Sequence, residues 1–193
     1  ASNAFTGQVS LKADTGGSEN FGNITFVDDS AVKLDANADA AGDLFIDAAT
    51  DGAVGGNLVV TATTVNITQG VALAVTGTST LTTAAADAVI TLGSTNALGG
   101  NVILSTAGTA GHVTIDNGTT ALGVEGTVNG NLALTSGEAI TDSGTLTVTG
   151  TTTVTTDVND KVINLGTLAS TGNVILSTMG TAGHATIDNT TTA

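Results

Sequence analysis

The chain has 193 residues, a formal net charge of -14 at pH 7 and only three lysine or arginine residues. Because phosphates are neutralised by basic surfaces, this composition excludes nucleic-acid binding and disfavours contact with anionic membranes. The absence of cysteine excludes disulfides and thiolate metal sites, and the absence of Trp and Tyr predicts a narrow aliphatic core. No apolar run approaches the roughly 20 residues of a spanning helix, so we predict no direct membrane insertion.

Short segments rich in β-branched residues and bounded by Gly, Asn, Asp or Ser predict strands along the whole chain. In chain order they are QVSLKA from Gln8, NITFVD from Asn23, DLFIDA from Asp43, NLVVTA from Asn57, VALAVTG from Val71, NVILST from Asn101, HVTIDN from His112, LTVTG from Leu146 and VINLG from Val162. No window holds an apolar stripe at the helical period over three turns. The Ala-rich stretch 36–49 is interrupted by Gly42 and is predicted as loop and strand. We therefore expect an all-β protein.

A long internal repeat organises this series of strands. Residues 100–121 return as residues 172–193 with three substitutions, which sets a repeat of about 72 residues. Segments further upstream return at nearly the same offset. We interpret residues 52–193 as two copies of this repeat and residues 1–51 as divergent, acidic N-terminal coils. Residues 1–193 are then one solenoid segment, and we expect it to be an excerpt of a longer array.

Near-identical copies of several successive strands are typical of a parallel β-helix, and not of a sandwich or a closed barrel. With about 24 residues per coil and a strand spacing of about 4.8 Å, one repeat would comprise three coils and advance about 14 Å. The expected fold is a right-handed parallel β-helix of about eight coils.

A Gly-Asn dipeptide precedes five of the predicted strands. Glycine relieves the strain of a tight corner, and asparagines at equivalent corners can stack amide on amide. The predicted structural corner residues are Asn23, Asn57, Asn101, Asn131 and Asn173.

The segment GNLALTSGEAITDSGTLTVTGTTTVTT from Gly130, followed by VINLGTL from Val162 and GNVILST from Gly172, resembles a known group. It is similar to the repeat region of filamentous haemagglutinin-type exoproteins, the very long, repetitive β-helical adhesins of bacteria. The resemblance covers about the last 140 residues by repeat pattern. It implies a β-helical rod at the bacterial surface and assigns no functional residue.

His112, Thr114 and Asp116 alternate with Val113 and Ile115, so the polar residues should share the outer strand face while the apolar residues point inward. With Ser105 near in sequence, these residues suggest a Ser-His-Asp triad. However, a histidine and an aspartate four residues apart on one strand are separated by about 13 Å, which excludes a hydrogen-bonded dyad within that strand. The second copy repeats the pattern with Ser177, His184, Thr186 and Asp188. We interpret both histidines as solvated repeat positions too far apart to share zinc.

Aspartates crowd the first third of the chain, and calcium takes six to eight oxygen ligands. Asp39, Asp43 and Asp47 are therefore the weak candidates for a calcium site. No EF-hand or calcium β-roll spacing accompanies them. We expect no required cofactor, with calcium binding kept as the alternative to a solvated acidic surface.

Threonine runs at period two resemble the outward ladders of ice-binding β-helices, but in the sequence they do not recur at one place once per predicted coil. Thr also forms strands readily and tolerates water. Many parallel β-helices cleave acidic glycans, but a chain without Arg, Trp or Tyr lacks the cations and aromatic platforms for such chemistry. We therefore predict that the chain is not an enzyme.

These observations predict a structural shaft or spacer segment of a bacterial cell-surface or secreted adhesin, located outside the cell. The alternative is a ligand-binding adhesin module with a glycan-directed, calcium-dependent or ice-binding face. Uncapped terminal coils expose unpaired strand edges, so we also expect self-association end to end into filaments. A host or cell-surface ligand cannot be named from the sequence.

Overall fold

A computed structural model describes residues 9–11, 23–28, 32–35, 43–46, 53–70 and 72–189. These residues form an all-β parallel solenoid of about six turns, which confirms the predicted fold class. Two large sheets face each other across a narrow core, and a small third sheet closes one side of part of the solenoid. In the described ranges, no helix has the length and hydropathy needed to cross a membrane.

Sheet 1 has eight parallel strands whose spatial order follows the chain. They are β2 (Ile24–Asp28), β6 (Leu58–Ala62), β9 (Ser79–Ala86), β12 (Val102–Ala107), β14 (Leu122–Val128), β16 (Ile140–Val148), β18 (Val162–Ser170) and β20 (His184–Asn189).

Sheet 2 has nine parallel strands and lies opposite sheet 1. In spatial order they are β1 (Val9–Leu11), β4 (Asp43–Ile46), β3 (Val32–Asp35), β7 (Ile67–Gln69), β10 (Ile90–Leu92), β13 (Val113–Asp116), β15 (Leu132–Ser136), β17 (Thr152–Asn159) and β19 (Val174–Met179).

Sheet 3 has three short strands, β5 (Ala53–Val54), β8 (Ala74–Val75) and β11 (Ala97–Leu98). From β5 to β11 the chain visits all three sheets in each turn, and after β11 it alternates between sheets 1 and 2 alone. The solenoid therefore changes from a three-sided to a two-sided cross-section within the first copy of the repeat.

Alternation along the strands builds the core. In β6, Leu58, Val60 and Ala62 are buried while Val59 and Thr61 are only half-buried on the opposite face. The same period-two pattern recurs along the solenoid, so Val, Leu and Ile from successive coils form one continuous cluster. The narrow aliphatic core explains why the chain folds without Trp or Tyr.

The described turns number about six and not the expected eight. The described strands of the first third depart from a regular step of one coil in every ~24 residues. Ile24 of β2 pairs with Leu58 of β6, a longer step along the chain than the coils after β6 take, and β4 lies between β1 and β3 in the sheet. Among the described strands, the irregular order therefore occurs where the sequence diverges from the repeat.

The long repeat spans three and a half turns, and the prediction of three coils was wrong. The VILST segment lies in sheet 1 as β12 and in sheet 2 as β19. From β6 onward, paired residues such as Val113 and Leu132 lie closer in sequence than the expected ~24 residues, so a coil is shorter than predicted. Each copy of the repeat therefore exchanges the two faces of the rod.

This exchange separates residues that are identical in sequence. Ile115 lies in sheet 2 and is 1% exposed, whereas its copy Ile187 lies in sheet 1 and is 41% exposed. Ile187 pairs in register with the buried Leu165, so its side chain continues the core column at the last described coil.

Gly126 of β14 lies opposite a bulge whose extra residues are in β16. The register between β14 and β16 shifts between Val124 and Gly126, and Gly126 has a φ of 115°. A Cβ atom at this position would collide with the backbone carbonyl oxygen of Leu104 in the preceding coil. Only glycine combines this backbone conformation with so close an approach.

Candidate functional site

The predicted corner asparagines all lie directly before strands and are exposed; they are Asn23, Asn57, Asn101, Asn131 and Asn173. Oδ1 of Asn23 accepts the backbone N–H of Asn57 at 2.8 Å, and Oδ1 of Asn57 accepts that of Thr78 at 2.9 Å. Oδ1 of Asn131 accepts the N–H of Thr151 at 2.9 Å. These three side chains therefore join one coil to the backbone of the next.

A second pair of asparagines, which the sequence analysis missed, bonds to the backbone of the preceding coil; Asn117 is buried and Asn189 is exposed. Asn117 is fully buried; its Oδ1 accepts the N–H of Leu98 at 2.8 Å, and its Nδ2 donates to the carbonyl of Leu98 at 3.2 Å. Asn189 holds Ser170 in the same way at 2.8 and 3.0 Å, again across one coil. The TIDN segment that contains both asparagines was the available signal. We call this two-bond contact the asparagine clamp.

His112 is exposed and has a structural contact. Its Nδ1 accepts the backbone N–H of Asn131 at 2.8 Å, which is the role that an asparagine has at the other corners. Asp116 uses Oδ1 to accept the N–H of Gly118 at 2.8 Å. His112 and Asp116 thus have separate partners, and His184 lies in the other large sheet.

An aspartate in a left-handed backbone conformation holds the GTAG loop of the next coil in both copies. Asp87 has a φ of 64°, and its Oδ1 accepts the N–H groups of Thr109 and Ala110, both at 2.7 Å. Asp160 has a φ of 65° and accepts the N–H of Ala182 at 2.8 Å. The two N–H donors to Asp87 lower the pKa of its carboxyl, because they stabilise the ionised form.

The two copies of this loop lie at opposite corners of the rod. The loop that begins at Gly108 connects sheet 1 to sheet 2, whereas the loop that begins at Gly180 connects sheet 2 to sheet 1. Both glycines have positive φ angles, 85° and 83°. The loop geometry is thus copied although the faces are exchanged.

The calcium candidates Asp39 and Asp47 lie outside the described residues, as does the side chain of Asp43. Within the described residues, no three His, Cys, Asp or Glu side chains are grouped so that they could hold a metal ion.

Other acidic groups also serve local contacts. Asp142 accepts the N–H groups of Gly166 and Thr167 at 2.9 and 2.6 Å. Glu138 pairs with Lys161 at 2.7 Å. Calcium binding in the first third therefore remains a prediction, and these later carboxylates hold turns together.

Register brings hydroxyl side chains from five consecutive coils into one line on the outer face of sheet 1. This hydroxyl column consists of Thr61, Thr82, Ser105, Thr127 and Thr147. Its members alternate with buried core residues, and Ser105 and Thr127 are the most open to solvent. The sequence hid the column because the coils between its members differ in length.

A shorter hydroxyl column lies on sheet 2, formed by Thr135, Thr155 and Ser177 in adjacent strands. These three residues are the sequence copies of the first three members of the hydroxyl column. The repeat therefore reproduces the column and moves it to the opposite face.

Comparison with known families matches residues 13–105 and 110–177 to the family described as Repeats of unknown function (DUF5649). The chain belongs to this family. No curated protein and no solved structure matches the chain.

The copied features of this family member fall into two groups. The corner acceptors, the asparagine clamps and the aspartate loops join neighbouring coils, so their polar atoms are engaged within the chain. The outward hydroxyls of the sheets remain available to solvent. The side-chain groups that the sheet faces present to solvent are therefore mainly hydroxyl and methyl groups, repeated at the spacing of the strands.

Proposed function

We propose that the chain is a structural shaft or spacer segment of a bacterial cell-surface or secreted adhesin, and that it has no enzymatic activity. The observation that carries the proposal is the unbroken pairing of parallel strands along sheets 1 and 2 around one aliphatic core. In such a solenoid each coil contacts its neighbours, so length grows with the number of coils and the fold needs no other partner.

Contacts between coils support a mechanical role. Besides the backbone ladders, side chains of one coil bond to the backbone of the next at the corners, as Asn57 does with Thr78 and Asp87 with Thr109. The clamp at Asn117 adds two bonds at a buried position. A load along the rod would therefore be shared between backbone ladders and side-chain bonds in every turn.

Location outside the cell is supported by the resemblance to filamentous haemagglutinin-type repeats and by the net charge. With -14 charges on the chain, neighbouring rods repel each other and stay apart in solution. Cysteine-free sequences are also stable to changes in redox environment, which suits an exposed surface.

End-to-end association would extend the shaft further. Within the described residues, β19 and β20 each pair with one strand only, and the core side chain of Ile187 is exposed there. A second copy that places strands on these edges would continue both ladders and cover that side chain. Salt should promote this contact because it shortens the range of repulsion to about 8 Å at physiological ionic strength.

The spacer role is tested by placing one, two or four copies of residues 52–193 between a bacterial surface anchor and a small epitope tag. Accessibility of the tag to a bulky bead-bound antibody, relative to free antibody, should rise with copy number. A disordered linker of equal length and net charge is the control for chain length alone. If accessibility does not change with copy number, or if the disordered linker performs equally, the chain is not a rigid spacer.

End-to-end association has its own test. Linear oligomers should appear at raised ionic strength in electron micrographs and in light scattering. Ile187→Lys should remove them, whereas Thr186→Lys, an outward and exposed neighbour in the same strand, should not. A chain that stays monomeric at high protein and salt concentration would contradict the association and leave the spacer role standing.

A further inference from the structure

The hydroxyl column on sheet 1 presents an uncharged, regular surface on a strongly acidic protein. Its members are paired in register across β6, β9, β12, β14 and β16. Neighbouring strands are about 4.7–4.9 Å apart, so the column extends for about 19 Å. Val27 and Ala169 occupy the register positions before and after it.

The adjacent outward column of sheet 1 is largely uncharged as well. It holds Val59, Thr80 and Ile103 in register, followed by the half-buried Glu125. Most other described acidic groups lie at corners or near strand ends, as Asp87, Asp157 and Asp160 do. A flat ligand could therefore approach the first three coils of this face without meeting a carboxylate in either column.

We propose that this face binds ice, with the surface lattice of crystalline water as its ligand. Crystalline water is neutral, flat and periodic, and it accepts hydrogen bonds from hydroxyl groups and donates to them. A column of hydroxyls at strand spacing can hold water molecules in one regular row, while the threonine methyl groups limit competing hydration. Carboxylates would instead hold a charged hydration shell, so the uncharged column matches a neutral lattice.

The repeat reproduces the column together with its register. Thr61, Thr82 and Ser105 return as Thr135, Thr155 and Ser177, again in register and again outward, although the second set lies on sheet 2. The strand pairing therefore keeps these three hydroxyls aligned in both copies of the repeat.

The proposal does not depend on the shaft role, and it has a direct test. Thermal hysteresis and inhibition of ice recrystallisation are measured for the whole chain and for two variants, Thr127→Lys in the column and Thr119→Lys in a turn. Thr127 is exposed and Thr119 is open to solvent at its turn, so the substitutions are matched in chemistry and placed on different surfaces. Far-UV circular dichroism before and after cooling verifies that each variant is folded.

We expect the whole chain to shape ice crystals and inhibit recrystallisation, Thr127→Lys to lose that activity and Thr119→Lys to keep it. Absence of activity in the folded whole chain would overturn the proposal. Equal loss in both variants would also overturn it, since the effect would then not belong to the column. Lateral pairing of rods through this face without any effect on ice would show that a second copy, and not ice, is the occupant.

Discussion

Replacing Asn117 by aspartate should destabilise the solenoid strongly, although the two side chains have the same shape. Asn117 is fully buried, and its Nδ2 donates to the carbonyl oxygens of Leu98, Thr120 and Ala121 at 3.2, 3.0 and 3.0 Å. A carboxylate would face the same three oxygens without a proton to donate. The Thr120 carbonyl still accepts the hydroxyl of Ser136 at 2.8 Å. The carbonyls of Leu98 and Ala121 lose this donor, and because each unpaired buried group costs about 1–3 kcal/mol, the loss at pH 7 should be at least about 2 kcal/mol.

Asn131→Asp is the matched control. Asn131 is exposed, and its Oδ1 accepts the N–H of Thr151 at 2.9 Å. A carboxylate oxygen accepts this bond equally well, so the free energy of unfolding should change by less than about 0.5 kcal/mol, as at ordinary surface sites. The same chemical substitution should therefore be costly at the buried clamp and nearly neutral at the exposed corner.

Urea unfolding followed by far-UV circular dichroism measures both variants, because the chain has no Trp or Tyr for fluorescence. The deficit of Asn117→Asp should shrink in acid, since a protonated carboxyl can donate one of the lost bonds and carries no buried charge. Similar unfolding midpoints for the two variants would refute the assignment of donor and acceptor roles to the clamp.

Four further predictions concern other parts of the chain. Gly126→Ala should cost at least about 1–3 kcal/mol from backbone strain, whereas Gly166→Ala, where a Cβ meets nothing within 4 Å, should leave the melting temperature unchanged. Ile115→Asp should unfold or fray the array because it buries a charge, while His112→Ala should cost about 1 kcal/mol and His112→Asn less, as measured by urea midpoints. The stability that Asp87 contributes should be present above its unfolded pKa of about 3.9 and be lost as pH falls through the lowered folded pKa, so an acid titration of Asp87→Asn should lack that part of the transition. Micromolar calcium should not change the melting temperature; a steep, saturable rise would contradict the expectation that calcium is dispensable.

The sequence predicts the parallel solenoid correctly because the alternation within strands and the long repeat are both visible in the sequence without knowledge of packing. It does not predict the length of each coil, because bulges such as the one opposite Gly126 absorb extra residues while the flanking parts of the strands stay paired. A wrong coil length predicts the wrong residue pairs between neighbouring strands. Features that depend on register, above all the hydroxyl column, are therefore not predicted from the sequence. The buried clamp at Asn117 was missed for another reason: polar residues in loops are usually exposed, and burial is decided by the neighbouring coil.

The half turn in each repeat should keep the shaft straight, which a whole number of turns per repeat would not do. VILST places Val102 and Leu104 inward in sheet 1 and Val174 and Leu176 inward in sheet 2, so the same side chains support both faces in turn. Any difference in width between the two faces would bend the rod, but exchange of the faces reverses that bend in the next copy. An array should therefore stay straight while it grows by about 17 Å per copy at the strand spacing of a β-sheet.

Electron micrographs of arrays with two, four and six copies should show straight particles whose length rises linearly with copy number. An array engineered with one further half coil per copy would keep its faces fixed, and it should curve or coil if the faces differ. Equal curvature in both arrays would show that face exchange does not keep the rod straight.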